Sequence, residues 1–152
     1  MTSSALPRVL ALVALLTLVG IAPASAVSSS SYEKQVVKAT NSYRSDVGAA
    51  QVKHQRCVDR YAESQARWMA DHQVLKHRNG RMTTILKACK LTRVSENIAW
   101  NYPSGTKAVR AWTKSPGHEK NLRARPMRYI GVGAVKDRDG QWWVAQVFGT
   151  RK

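Results

Sequence analysis

Three side chains near the middle of the chain have the chemistry of a metal or acid–base site: His77, Glu96 and His118. Glu96 lies in the stretch "VSENIAW" and is the only acidic residue between Asp71 and Glu119. A carboxylate in an apolar strand needs a partner, because burying it alone is costly. Two imidazoles and one carboxylate are a suitable ligand set for an open zinc site that keeps a position for water or a ligand.

The stretch "SPGHEKN" predicts a short helix with Ser115 as N-cap and Pro116 at the first helical position. The positive end of the helix dipole disfavours an imidazolium at His118, so we expect a neutral ring that can accept a proton or bind a metal. The other two histidines have structural explanations. His54 lies in a polar segment on the surface just before a helix. His72 is the last residue of that helix, where a cationic side chain interacts favourably with the helix dipole.

Two interpretations of His77, Glu96 and His118 remain open. Their separations of 19 and 22 residues match no local ligand motif. The alternative to a metal site is a buried hydrogen-bond network in which Glu96 accepts from backbone amides or from the histidines. Catalysis would need a metal-activated water, because no triad is visible around Ser95 or Ser115. We therefore predict a binding module rather than an enzyme, with a metal-dependent, protease-like hydrolase as the alternative.

Helices are predicted to precede the strands along the chain. Ser30 and Glu33 form a capping box for a first helix that stops at Gly48, and an apolar stripe predicts a second helix over 56–72. Apolar spacing predicts three shorter helices: one leading to Cys89, one over 106–113, and one that starts at Ser115 and is ended by Pro126.

The C-terminal region is predicted to be a β-hairpin. "RYIGVGAV" and "QWWVAQVF" alternate with period two and are joined by "KDRDG", a strong turn signal. Trp142 and Trp143 must then point to opposite faces, and at most one of them shares a layer with Val144. Helices followed by paired strands predict an α+β domain in which helices cover an antiparallel sheet.

The first 26 residues have the pattern of a signal peptide. Arg8 supplies the positive region, Val9 to Ile21 is apolar, and "ASA" offers a cleavage site before Val27. The apolar run is shorter than the roughly 20 residues that span a bilayer, and no later stretch is comparably apolar. We expect a secreted, extracellular protein without a membrane span after cleavage, in which residues 27–152 form a single, monomeric domain.

Cys57 and Cys89 both lie in the exported part, where oxidising conditions favour one disulfide. Closing a loop of about 33 residues stabilises a fold by roughly 3 to 4 kcal/mol on the chain-entropy model. The alternative, a pair of thiolate metal ligands, lacks the usual CxxC spacing.

The chain has 25 basic and 9 acidic residues, and loss of Arg8 with the leader leaves a formal charge of +15. Such a field favours polyanions, which outside a cell include anionic wall or surface polymers, acidic lipids and extracellular DNA; a broadly solvated basic surface without a specific partner is the alternative. The basic residues are spread along the chain, with local density only at Lys120, Arg123, Arg125 and Arg128. No zinc finger, RNP motif or basic zipper helix is visible, so the sequence shows no specific nucleic-acid motif.

Several stretches together resemble the CAP superfamily, which contains cysteine-rich secretory proteins, antigen 5 and plant pathogenesis-related proteins, in its bacterial SCP-like form. The matching stretches cover nearly the whole exported part in the family's order; they are "NSYRSDVG", "YAESQARWMADHQVLKHR", "SENIAW", "AVRAWTKSPGHEKN" and "YIGVGA" with "WWVAQVFG". The resemblance implies a three-layer α-β-α sandwich with a central antiparallel sheet. It also implies a cleft in which histidines and acidic residues hold, in some members, a divalent metal such as zinc.

The resemblance places the cleft at His77, Glu96 and His118, which are also the metal ligands it suggests, with Asn97, Ser115, Asn121 and Gln146 in support. The sequence departs from the animal and plant pattern at two positions: Ser115 replaces a glutamate, and Trp143 replaces a strand histidine. The family's four-residue cluster is therefore kept only in part. Lipid or sterol binding, which the resemblance also implies, would use five aromatic residues close to the motifs: Trp100, Tyr102, Trp112, Trp142 and Trp143.

Overall fold

The computed structural model describes residues 27–151, so the predicted signal peptide over residues 1–26 lies outside the described part. Nine elements follow one another along the chain: α1 (Ser29–Asp46), β1 (Lys53–His54), α2 (Arg56–His72), α3 (Arg81–Ala88), β2 (Arg93–Trp100), α4 (Gly105–Trp112), α5 (Pro116–Leu122), β3 (Tyr129–Lys136) and β4 (Trp142–Thr150). In the described residues no helix is both long and apolar enough to cross a membrane.

The four strands form one sheet in the order β1-β3-β4-β2. β4 pairs antiparallel with β2 and with β3, which confirms the predicted hairpin and antiparallel centre. β1 adds two residues in parallel to β3, and this makes the sheet mixed. β4 is buried along its whole length, whereas β2 is an outer strand.

Helices cover both faces of the sheet, and this confirms the three-layer α-β-α sandwich. One face packs on α1 and α4 through a cluster that includes Tyr32, Trp112, Trp142 and Val144. The other face packs on α2 and α3, and Trp143 belongs to it. The two adjacent tryptophans therefore point to opposite faces, as period two requires.

The helix over 56–72 has the predicted bounds and lies directly on β3. A Cβ atom at Gly131 would come 2.3 Å from the backbone nitrogen of Asp59, and one at Gly133 would come 2.4 Å from Cα of Glu63. Only glycine at these two positions allows the helix to approach so closely. The predicted disulfide is also confirmed: Cys57 at the start of α2 is bonded to Cys89 at the end of α3, with Cα atoms 5.6 Å apart.

The first helix begins differently from the prediction. Ser28, not Ser30, is the N-cap, and its hydroxyl accepts from the backbone N–H of Ser31 at 3.2 Å. The capping box fails because Glu33 faces the sheet, where its Oε1 accepts from the backbone N–H of Ala134 at 3.1 Å.

Candidate functional site

The three predicted site residues lie around β2, the outer strand of the sheet. Successive side chains of a strand point to opposite faces. Glu96 therefore faces α3 and the loop after α2, whereas Asn97 faces α5. His77 belongs to the loop on the first face and His118 to α5 on the second.

Glu96 is held by two partners. Its side chain is 2% exposed, and because a carboxylate can only accept, Nδ1 of His77 donates to its Oε1 at 2.8 Å. Nε of Arg81 donates to its Oε2 at 3.2 Å. Arg81 is itself 7% exposed and also donates to the carbonyl of Tyr61. Burial lowers the pKa of the Arg81 guanidinium, and the negative charge of Glu96 opposes that shift. Glu96 is thus a buried, neutralised carboxylate.

Arg81 is the main functional residue that the sequence analysis missed. The signal was the need of Glu96 for a partner, but the chain offers many basic residues and nothing in the sequence singles out Arg81. It comes within reach because Gly80 takes a left-handed conformation, with φ of 71°, immediately before α3 begins.

The loop that carries His77 is held by Gln65 of α2. Gln65 is completely buried, its Nε2 donates to the carbonyl of Lys76 at 2.7 Å, and its Oε1 accepts from Nε of Arg78 at 2.8 Å. Both neighbours of His77 are therefore anchored to a helix, while the His77 side chain remains 54% exposed. This arrangement presents the imidazole to solvent in a defined position.

His118 is held on the other side of β2. Its Nδ1 is hydrogen-bonded to Oγ of Ser115 at 3.0 Å, and its carbonyl accepts from Nδ2 of Asn97 at 3.3 Å. Ser115 is the predicted N-cap residue, but its hydroxyl bonds to the imidazole and not to a backbone N–H of α5. The pKa of His118 is lowered, first by burial and then by the nearby charge of His77. Burial therefore favours the neutral ring that the sequence predicts.

Three of the four predicted supporting residues, Asn97, Asn121 and Gln146, form a largely buried chain of hydrogen bonds next to this site. Asn121 donates from Nδ2 to Oδ1 of Asn97 at 2.9 Å and to the carbonyl of Glu96 at 3.1 Å. Asn97 donates to Oε1 of Gln146 at 3.0 Å, and Gln146 donates to Oγ1 of Thr40 in α1 at 2.8 Å. The chain joins α1, β4, β2 and α5, so it fixes α5 and His118 relative to the sheet.

The structure brings His77 and Glu96 into contact and places His118 close enough for the charge of His77 to influence its pKa. Within residues 27–151, however, no three His, Cys, Asp or Glu side chains are grouped so that they could hold a metal ion. His77, Glu96 and His118 are therefore not arranged as one metal site. Glu96 points to the face of β2 on which Arg81 lies, whereas His118 lies on the opposite face. Metal binding by these residues stays a prediction.

Two histidine nitrogens are nevertheless free to bind. In the described part of the chain, neither Nε2 of His77 nor Nε2 of His118 has a hydrogen-bond partner, while each Nδ1 is held by Glu96 or by Ser115. A carboxylate behind an imidazole fixes its tautomer and raises its basicity, as is usual for histidine ligands of metals. Both Nε2 atoms are therefore available as ligands, with Glu96 as the group that orients His77 and Ser115 as the group that orients His118.

The predicted aromatic cover divides into core and surface residues. Trp112, Trp142 and Trp143 are at most 6% exposed and belong to the packed layers. The indole N–H of Trp143 donates to Oδ2 of Asp137 at 2.7 Å. Only Trp100 and Tyr102 are exposed, at 43% and 36%.

Comparison with known proteins agrees with this architecture. A model of the family described as "CAP: Cysteine-rich secretory protein family" matches residues 37–148, and the chain belongs to that family. The protein YkwD of Bacillus subtilis, described as uncharacterized, is 30% identical over 127 residues, which are 80% of this chain and 49% of YkwD. The chain thus spans about half the length of that relative.

Solved structures show the same fold. An outer surface protein of Borrelia burgdorferi aligns with a TM-score of 0.71 and 20% identity, over 78% of this chain and 92% of that one. An extracellular protein of Bacillus anthracis that contains an SCP domain aligns with a TM-score of 0.69 and 25% identity, over 82% of this chain and 41% of that one. NaASP2, crystallised with Zn²⁺, aligns with a TM-score of 0.54 and 17% identity, over 86% of this chain and 84% of that one.

Proposed function

We propose that this protein is an exported, non-enzymatic binding module of the CAP family, whose ligand-binding cleft lies between His77 and His118 at the edge of β2. A divalent cation such as zinc is the ligand that the cleft chemistry fits. The observation that carries the proposal is the hydrogen bonding of the two imidazoles, whose Nδ1 atoms are engaged by Glu96 and Ser115 and whose Nε2 atoms have no partner among the described residues.

Glu96 supports the site from behind in this proposal and is not itself a ligand. Its Oε2 is occupied by Arg81, and its Oε1 by His77. Because both oxygens of Glu96 already accept hydrogen bonds, Glu96 is not placed to take a proton from a cation-bound water, the step that metal-dependent hydrolysis usually needs. This geometry favours binding over hydrolysis.

Export is supported by the extracellular and outer-surface relatives and by the disulfide, which is typical of oxidising compartments. An apolar ligand is the less suitable occupant of the cleft, because the aromatic residues next to it are largely committed to the core.

A calorimetric zinc titration of the chain from Val27 tests the proposal. We expect about one equivalent to bind near neutral pH, where His118 is deprotonated. His77→Ala and His118→Ala should each abolish binding or weaken it strongly, and Glu96→Gln should weaken it by about 10- to 100-fold through loss of the orienting carboxylate.

His54→Ala provides the matched control, because His54 is an exposed histidine on β1, at the opposite edge of the sheet from β2. Equal affinities in His54→Ala and His77→Ala would show that zinc binds to surface histidines nonspecifically and would refute the cleft. No binding to the folded parent chain would refute the metal as its ligand.

A further inference from the structure

The backbone groups of β2 alternate between the neighbouring strand and the outer edge of the sheet. In an antiparallel sheet each residue points both its N–H and its C=O either toward its neighbour or away from it. The N–H of Asn101, just after β2, donates to the carbonyl of Trp142 at 2.8 Å, so the odd-numbered residues face β4. The even-numbered residues Glu96 and Ile98 therefore point their N–H and C=O groups outward.

The two outward carbonyls are already bonded within the protein, but the two N–H groups are not. Nδ2 of Asn121 donates to the carbonyl of Glu96 at 3.1 Å, and the indole N–H of Trp112 donates to that of Ile98 at 2.9 Å. Among the described residues, nothing accepts from the N–H of Glu96 or of Ile98. Both residues are only 6% exposed, and buried N–H groups are almost always paired. The missing acceptor is therefore a water molecule or a ligand.

The other open edge of the sheet shows how this protein satisfies such donors. Beyond Ile130, the N–H groups of Val132 and Ala134 point outward from β3, which has no neighbouring strand there. Oδ1 of Asp59 accepts from Val132 at 3.0 Å, and Oε1 of Glu33 accepts from Ala134 at 3.1 Å. Two N–H groups that are two residues apart are thus bound by two carboxylates. The outward pair on β2 has the same spacing.

The surroundings of the β2 edge suit a negatively charged ligand. The carboxylate of Glu96 points to one face of the strand, and its charge is neutralised there by Arg81 and by the hydrogen bond from His77. His77 and His118 lie on the two sides of the edge. The exported chain carries a formal charge of +15, which attracts anions from a distance. Hydrogen bonds from an N–H to a carboxylate are also stronger than those to a neutral acceptor.

We propose that the outer edge of β2 binds an acidic ligand with two carboxylate groups, one for the N–H of Glu96 and one for the N–H of Ile98. The two N–H groups lie about 7 Å apart, because a strand rises about 3.4 Å per residue, so each needs its own acceptor. An added peptide strand fits less well, because it would compete with Asn121 and Trp112 for the two carbonyls. The proposal rests on the cleft proposed above and gives it a second ligand, but the carboxylate site itself needs no metal.

NMR on the chain from Val27, with a chelator present, tests this site in the absence of metal. In the free chain, the amides of Glu96 and Ile98 should exchange with solvent about tenfold faster or more than those of Asn97 and Ala99, which face β4. Glutarate, a dicarboxylate, is the probe, and it should shift both outward amide resonances and slow their exchange. Butyrate, which has one carboxylate, should bind about tenfold more weakly, and uncharged glutaramide should not bind.

A proline substitution removes one of the two donors. Ile98→Pro deletes an N–H that points away from the sheet, which is the position where an outer strand tolerates proline. Ile98→Ala is the matched control, because it also shortens the buried side chain but keeps the N–H. Glutarate should bind Ile98→Pro about tenfold more weakly than Ile98→Ala. Near-ultraviolet circular dichroism verifies that both variants are folded, and the exchange measurement decides if the proline variant is not.

The outcomes separate this site from the zinc site. Amides of Glu96 and Ile98 that exchange as slowly as those of Val132 and Ala134 in the free chain would show that they already have an acceptor, and this would overturn the proposal. Equal glutarate affinity in the two folded Ile98 variants, or glutarate-induced shifts confined to other residues, would also overturn it. Because no metal is present, these results stand or fall independently of the zinc titration.

Discussion

At the scale of single residues, the pair of Glu96 and Arg81 is the part of the site most sensitive to substitution. Both side chains are almost fully buried, so removing one leaves an uncompensated charge that is costly to desolvate. We predict that Arg81→Met lowers the free energy of unfolding by about 3 kcal/mol, measured by urea denaturation near pH 7. His77 limits the loss, since its exposed imidazole can still donate to Glu96.

The combination of Arg81→Met with Glu96→Gln should recover most of this loss, because no charge is then buried alone. Arg110→Met on the exposed surface of α4 controls for the change of side-chain type. If Arg81→Met and Arg110→Met unfold at the same urea concentration, the buried pair contributes nothing to stability.

The sequence alone predicts the three central site residues but not the partner of Glu96. His77 and His118 could be singled out, and the need of Glu96 for a partner could be derived from its apolar surroundings. The identity of that partner could not, because Arg81 lies 15 residues from Glu96 and reaches it only through the path of the loop after α2. That path depends on Gln65, a buried polar residue of α2 that is bonded to Lys76 and Arg78.

At the scale of elements, two carboxylates bind the backbone N–H groups of β3 that β1 leaves unpaired. β1 pairs with β3 only as far as Ile130, and beyond it Asp59 and Glu33 accept from the N–H groups of Val132 and Ala134. Such caps satisfy donors that an edge strand would otherwise expose. Burial, followed by repulsion from Asp59 and Glu63, raises the pKa of the Glu33 carboxyl, although its bond to Ala134 opposes this shift.

A raised pKa means that the folded state holds the Glu33 proton more tightly than the unfolded state does. The ionised carboxylate therefore opposes folding at neutral pH, and this cost disappears as the pH falls below the unfolded value of about 4.3. Glu33→Gln keeps an acceptor for Ala134 and removes the charge. We predict a higher Tm than the parent at pH 7 and an equal Tm at about pH 3, measured by calorimetry. A difference that is unchanged between the two pH values would contradict this assignment.

Periodic elements were predictable because their signal is local. The second helix and the C-terminal hairpin follow from apolar spacing, and their bounds agree closely with the structure. β1 was not predictable, since two residues carry no period and their pairing is created by the packing of the chain after α1. The predicted capping box at Ser30 and Glu33 was wrong, because the Glu33 carboxylate accepts a hydrogen bond from the backbone N–H of Ala134 in the sheet and does not cap the helix.

At the scale of the whole molecule, the two faces of the sheet are linked by different means. On the α1 side, the polar chain from Thr40 to Asn121 connects helices to strands. On the other side, the disulfide ties α3 to α2, and α3 has few contacts with the rest of the fold besides those with α2 and β2. The position of Arg81, at the start of α3, therefore depends on a covalent bond at the end of the same helix.

Removal of the disulfide should for this reason affect both stability and the site. We predict that Cys57→Ala with Cys89→Ala lowers the free energy of unfolding by about 3 to 4 kcal/mol, because the cross-link joins residues with a sequence separation of 32 in the unfolded chain. Urea denaturation measures this loss. Without the disulfide, α3 is freer and holds Arg81 less firmly against Glu96. The affinity for zinc should therefore fall in the folded double variant. An unchanged affinity would mean that Gln65 and Glu96 alone position His77.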